Sequence, residues 1–108
     1  MSRAINTLTI ALDELPLEPG SVIAGTPIAG VLTSGPLGNV EVGVWELTEG
    51  TVTDTEADEF FVVVAGAGTV TFADGEQIEL APGVLVRLHE GEQATWTITS
   101  PLRKVWIS

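Results

Sequence analysis

Cysteine is absent from the 108-residue sequence, which excludes a disulfide framework, a thiolate zinc site and a thiol nucleophile. Basic residues are almost as scarce, four against fifteen acidic ones, for a formal charge of -11. Such a chain repels phosphate backbones and anionic lipid surfaces and has few groups with which to release counterions, so neither nucleic acid nor membrane is expected as a partner. The acidity reads as a solvated coat that keeps a compact domain soluble. No run approaches the ~20 apolar residues of a membrane span. Met1–Ile10 carries one Arg3 and then alternates polar with apolar residues, without the apolar block of a signal peptide, so a cytoplasmic location is expected.

No window of a dozen residues repeats apolar positions at i, i+3, i+4 and i+7, which leaves little room for helix. Short apolar runs rich in Val, Thr and Ile are instead cut by dispersed glycine and proline, the pattern of a many-stranded domain. Strands are expected near Ile5–Ile10, Ser21–Ile23, Gly30–Thr33, Val40–Thr48, Glu59–Val64, Gly68–Phe72, Gln77–Leu80, Val84–Leu88, Gln93–Thr99 and Leu102–Ile107, with loops at Leu15–Gly20, Ser34–Gly38 and Ala81–Gly83. Gly66-Ala67-Gly68 reads as a hairpin turn. A second hairpin can be drawn in register. With Ala73-Asp74-Gly75 as a three-residue loop and Gly75 in the left-handed position, Thr71 faces Gln77, Val70 faces Ile78 and Thr69 faces Glu79, so that apolar meets apolar. A two-residue Asp-Gly turn would oppose Val70 to Glu79. About ten short strands fit a sandwich or a barrel.

The ordered set Glu59, Gly66, Thr69-Val70-Thr71-Phe72 and Leu80-Ala81-Pro82-Gly83 resembles the cupin superfamily. Glu59, six residues and Gly66 match the end of its first motif, and Pro82-Gly83 matches the turn that opens its second. Gly43-Val44-Trp45-Glu46 before the motif, with Thr95-Trp96 and Arg103-Lys104 after it, is similar to the small single-domain cupins grouped with the ethanolamine-utilisation cupin and ureidoglycine aminohydrolase. The resemblance runs from about Val40 to Ile107. It implies an all-β, double-stranded β-helix (a jelly-roll barrel), with residues 40–108 as its core and residues 1–39 as further strands or a dimer-forming arm.

Metal-binding members hold an ion through three His and one Glu, a nitrogen and oxygen set suited to Mn, Fe, Ni or Zn. Aligned to that pattern, the first two His positions fall among Thr53, Asp54 and Thr55, the third falls at or near Ala94, and Val84 replaces the Asp after Pro-Gly. Only Glu59 matches the ligand set. One carboxylate among hydroxyls does not compete with water for a transition metal, so no metal and no cofactor is expected.

The resemblance points Glu59 into the barrel beside Phe61 and Val63, within reach of a cation supplied by Lys104, Arg103 or Arg87. That pair reads either as a structural ion pair or as part of a pocket in which Glu59 accepts hydrogen bonds or a proton while Lys104 or Arg87 holds an anionic group. Trp96 shares a strand face with Ala94 and is expected to form a flat ligand wall; Trp45 is also counted among the ligand-binding residues, and Trp106 is expected to pack. His89, the one histidine, reads as a surface or packing residue. The expected activity is metal-independent binding of a small polar metabolite. The alternatives are an enzyme using Glu59 as acid or base on a small nitrogenous or sugar-like compound, and an assembly protein with a vestigial pocket. An exposed Ile5–Ile10 strand would favour a homodimer by strand exchange or edge pairing.

Overall fold

The structure, a computed structural model, describes residues 3–108; Met1 and Ser2, at the head of the N-terminal stretch, lie outside the described residues. Nine strands occur among them and no helix, so no helix is long and apolar enough to cross a membrane. They are β1 (Asp13–Leu15), β2 (Val22–Gly25), β3 (Ala29–Leu37), β4 (Val40–Leu47), β5 (Gly50–Thr55), β6 (Glu59–Phe72), β7 (Gln77–Leu80), β8 (Leu85–Leu88) and β9 (Gln93–Ile107). Every pairing is antiparallel.

Two long strands make the barrel. The N-terminal half of β9 pairs β5 and its C-terminal half pairs β4, while β6 runs against both halves of β9 and also pairs β8 and then β7. One wall is therefore β1-β3-β4-β9-β6-β8 and the other β2-β5-β9-β6-β7, the arrangement of a jelly roll. Phe61, Val63, Leu47, Leu88 and Leu102 from the first wall meet Val70, Leu80, Trp96 and Ile98 from the second in a buried core. Alternation along each strand supplies these residues, since inward side chains recur at every second position.

The corner that folds one wall over the other lies where Gly66 faces Pro101. The ladder slips register between Val63 and Ala65, between Ala65 and Ala67, and between Ala67 and Gly68. Gly66 has φ +89°, and a Cβ there would fall on the Pro101 carbonyl oxygen, so the bend needs glycine on both counts. Gly66-Ala67-Gly68 is thus a bulged bend inside one continuous strand, not a hairpin turn. The same geometry fuses the expected Gln93–Thr99 and Leu102–Ile107 strands into β9.

The Ala73–Gly75 hairpin has the register read from the sequence: Thr71 opposite Gln77, Val70 opposite Ile78 and Thr69 opposite Glu79. Gly75 sits at φ +94°, and the Phe72 N–H donates to the Glu76 carbonyl. Ile5–Ile10, by contrast, is not a strand. Asn6 organises it as a turn, its side-chain oxygen accepting from the Leu8 N–H at 2.9 Å and its carbonyl from the N–H groups of Thr9 and Ile10. The Arg103 guanidinium pins this segment to the outside of the barrel through the Thr7 and Ile10 carbonyls, at 3.0 and 2.9 Å. The edge strand on which the expected strand-exchange dimer rested is therefore missing.

Candidate functional site

Register explains why the motif residues belong together. Trp45 of β4 lies opposite Lys104 of β9, and Glu46 lies opposite Arg103. The Trp45–Lys104 pair points into the barrel and the Glu46–Arg103 pair points out, where the two charges join at 2.9 Å. Gly43 lies opposite Trp106 and has no Cβ, which would overlap the indole, so that ring can lie flat across the β4 backbone. The Gly-x-Trp-Glu and Arg-Lys stretches are two sides of one ladder.

Inside, Lys104 reaches past Phe61 to Glu59. Its Nζ lies 2.6 Å from Glu59 Oε2, and 4.3, 4.7 and 4.8 Å from the ring centres of Phe61, Trp45 and Trp96. Trp45 and Phe61 each stand 5.5 Å from Trp96 in tilted contact, so three rings from three strands surround one ammonium group. Lys104 is only 5% exposed, and the ring faces together with the carboxylate replace the water it has lost.

A cavity of about 380 Å³ opens beside this box. Its walls include Trp45, Trp96 and Trp106, and its polar groups include Glu56, Glu59 and Lys104; residues 15–18, from the end of β1 toward β2, also line it. Glu56, which the sequence reading passed over, follows β5 and is 8% exposed. Its Oε2 accepts the Trp96 indole N–H at 3.0 Å. Burial holds its carboxyl above the ordinary value, opposed by that hydrogen bond; Asp54 pushes it up, Lys104 pulls it down, and Glu59 pushes it up again.

Glu59, Lys104, Trp45 and Trp96 are brought together as the motifs implied. Arg87 is not. It lies opposite Phe60 on the outer face, with its guanidinium 5.4 Å from the Phe60 ring centre and 3.2 Å from Asp58, because β8 turns Val86 and Leu88 inward and hence Arg87 outward. His89 is exposed just beyond that strand and lines no cavity. Trp106 packs against the core, as expected, and also forms part of the cavity wall. Of the positions aligned with the first two His, Asp54 faces inward opposite Ala94, with Val52 opposite Trp96, while Thr53 and Thr55 take the other parity. The signal for Glu56 was available: it stands three residues before Glu59, in the stretch from which cupin ligands come.

The donors present do not fit a cupin metal. Among the described residues no group of three or more His, Cys, Asp or Glu is arranged to hold an ion. The one carboxylate shared with the motif, Glu59, already holds an ammonium at 2.6 Å.

Barrel topology, inward Glu59 and the paired motif ladders define a cupin. The family model of the EutQ-like cupin domain matches residues 34–106, and the chain belongs to that family. Among solved structures it is similar to the EutQ protein of Clostridium difficile, at 18% identity and a TM-score of 0.76 over 96% of this chain and 83% of that one. It is similar also to a protein of unknown function from Pseudomonas syringae pv. tomato, at 19% identity and TM-score 0.80, covering 95% of this chain but 46% of that longer one. A third likeness is to ectoine synthase from P. lautus, at 20% identity and TM-score 0.62 over 81% of this chain and 66% of that one. At these identities the likenesses speak to fold alone. No curated protein matches the chain.

Proposed function

We propose that the protein is a metal-independent cupin that binds a small polar molecule in the cavity beside Lys104. The observation that carries this reading is the ammonium of Lys104 seated on Glu59 within three aromatic rings, at the carboxylate a metal-binding cupin would give to its ion. The cavity volume lies in the range of small-ligand sites, and its aromatic walls with a few converging polar groups are the usual composition of one.

A thermal-shift screen of small amines, polyols, ureides and carboxylates tests the reading. A ligand at 100 times its Kd adds about 2.7 kcal/mol to the native state, which a melting curve resolves. Failure of every class to shift the transition would favour a vestigial pocket, and near-stoichiometric manganese, nickel or zinc in protein purified without chelator would overturn the metal-independent part.

A second reading, an enzyme of acid–base chemistry on a small nitrogenous or sugar-like compound, is favoured by one observation: Glu56 is a buried carboxyl held above its ordinary value at the cavity wall. Glu59, the residue expected in that role, is engaged by Lys104. The motif likeness to ureidoglycine aminohydrolase lends this reading a nitrogenous substrate. Glu56→Gln that bound a discovered substrate without turning it over would support it.

A further inference from the structure

The charges around the cavity are unequal. Glu18, Asp54, Glu56 and Glu59 line it against the single ammonium of Lys104. That ammonium is already neutralised by Glu59 and held over three rings. An incoming anion would find no unpaired cation and three further carboxyl groups. An incoming cation would find the reverse.

Glu56 makes the asymmetry specific. Glu56 is only 8% exposed and lines the cavity; its one side-chain hydrogen bond among the described residues uses Oε2, and Oε1, which accepts from no described group, retains accessible surface. Trp45, Trp96 and Trp106 line the same cavity. Aromatic rings and an accessible carboxylate oxygen lining one cavity are what a small organic cation needs: ring faces attract its charge and the oxygen accepts its N–H. Lys104 demonstrates the same chemistry, its ammonium held by a carboxylate and three rings of the chain itself.

We propose that the cavity takes a small organic cation, a primary amine or a guanidine carrying a short apolar body, with Glu56 Oε1 receiving an N–H and the tryptophan faces covering the rest. This rests on the small-molecule reading above and replaces the anionic group first expected opposite Lys104. Asp54 and Glu18, exposed at the mouth, bias entry toward positive charge.

The test uses the full chain and three probes that share one tail: butylamine, butanol and butyrate at neutral pH. The three tryptophans give separate indole N–H signals, and Trp96→Phe identifies the one donated to Glu56. Butylamine is expected to move the Trp96 signal saturably, about tenfold or more tighter than butanol, as a charged hydrogen bond plus ring contact would give. Butyrate is expected to leave it in place. Glu56→Gln, which keeps an oxygen for the Trp96 N–H, should remove at least that tenfold preference for butylamine over butanol. Butyrate binding as tightly as butylamine, or an amine preference that survives Glu56→Gln, would overturn the cation assignment while leaving a binding pocket. Silence from all three probes would overturn the cation assignment, and the wider thermal-shift screen then decides whether the cavity binds any small molecule.

Discussion

Lys104 Nζ sits 2.6 Å from Glu59 Oε2 in the barrel interior, and neither side chain has more than a small part of its surface in water. Removing one partner from such a pair leaves an uncompensated buried charge, whereas removing both leaves none. Lys104→Met alone should therefore cost about 3 kcal/mol or more, because Glu59 and Glu56 lose their shared cation. The double variant Glu59→Gln/Lys104→Met should recover at least ~1 kcal/mol of the summed single losses. Urea unfolding of the four proteins measures this coupling; strict additivity would mean the two groups do not depend on one another.

Gly66 and Gly75 both have positive φ, yet only one is enclosed. A Cβ on Gly66 would overlap the Pro101 carbonyl, while a Cβ on Gly75 meets nothing within 4 Å. Gly66→Ala should cost about 3 kcal/mol or more, strain and overlap together, and Gly75→Ala only about 1 kcal/mol. Equal losses in chemical denaturation would show that the corner between the two walls relaxes.

The contrast between these glycines also shows what sequence could and could not deliver. The Gly75 hairpin was legible because turn chemistry and cross-strand matching are local. Gly66 was misread because a left-handed glycine marks a turn and a bulged bend alike, and only the distant Pro101 strand separates them. Alternation put Glu59, Lys104, Trp45 and Trp96 on inward positions once the cupin likeness fixed the walls. The same alternation, applied between Val86 and Leu88, would have turned Arg87 outward. β5 was missed because Gly50–Thr55 has a single apolar residue, Val52, which joins the core and also lines the cavity, so no apolar alternation marks the strand. Glu56 was missed because an acidic residue in the Asp54–Glu59 stretch looks solvated until Trp96 arrives forty residues later.

Arg103 ties Glu46 to two carbonyls of the N-terminal segment. Those bonds hold residues 7–10 against the β3–β4–β9 wall, where Leu12 also packs on Gly30. Arg103→Met should cost about 1–3 kcal/mol and open the segment to limited proteolysis at sites before Asp13. Arg103→Lys should fail to restore protection, since one ammonium cannot reproduce the fixed fork that spans a carboxylate and two carbonyls. Unchanged cleavage in both variants would assign the docking to apolar contacts alone.

Glu56 sets a pH signature of known sign. Its folded value lies above 4.5 because of burial, with Asp54 and Glu59 acting in the same direction and the Trp96 N–H and Lys104 against it. From pH 4.5 up to that raised value the native state holds more protons at this site than the unfolded chain, so the site's contribution to stability falls as pH rises. Glu56→Gln removes the titration. The variant should gain on the natural protein across that window and then hold a constant advantage above it. Parallel stability curves between pH 4 and 8 would show that the carboxyl is as well solvated folded as unfolded.

The outer face of the first wall bears on self-association. Phe60 stands opposite Ile107 and Arg87, and Val62 opposite Val105 and Leu85, so these side chains share one surface. Phe60, Leu85 and Ile107 are 48%, 65% and 43% exposed. In a chain with fifteen acidic residues most approaches between two copies are repulsive, but this face presents apolar groups beside an Arg87 guanidinium already paired with Asp58. We propose that a homodimer forms by packing these faces together about a two-fold axis, in place of the strand exchange once expected from Ile5–Ile10. Light scattering at micromolar concentration should give twice the 11.3 kDa of one chain. Leu85→Glu should return it to monomer without lowering the unfolding midpoint measured at dilution, because that side chain supports no core contact. A monomeric natural protein, or a dimer indifferent to Leu85→Glu, would remove this face from consideration.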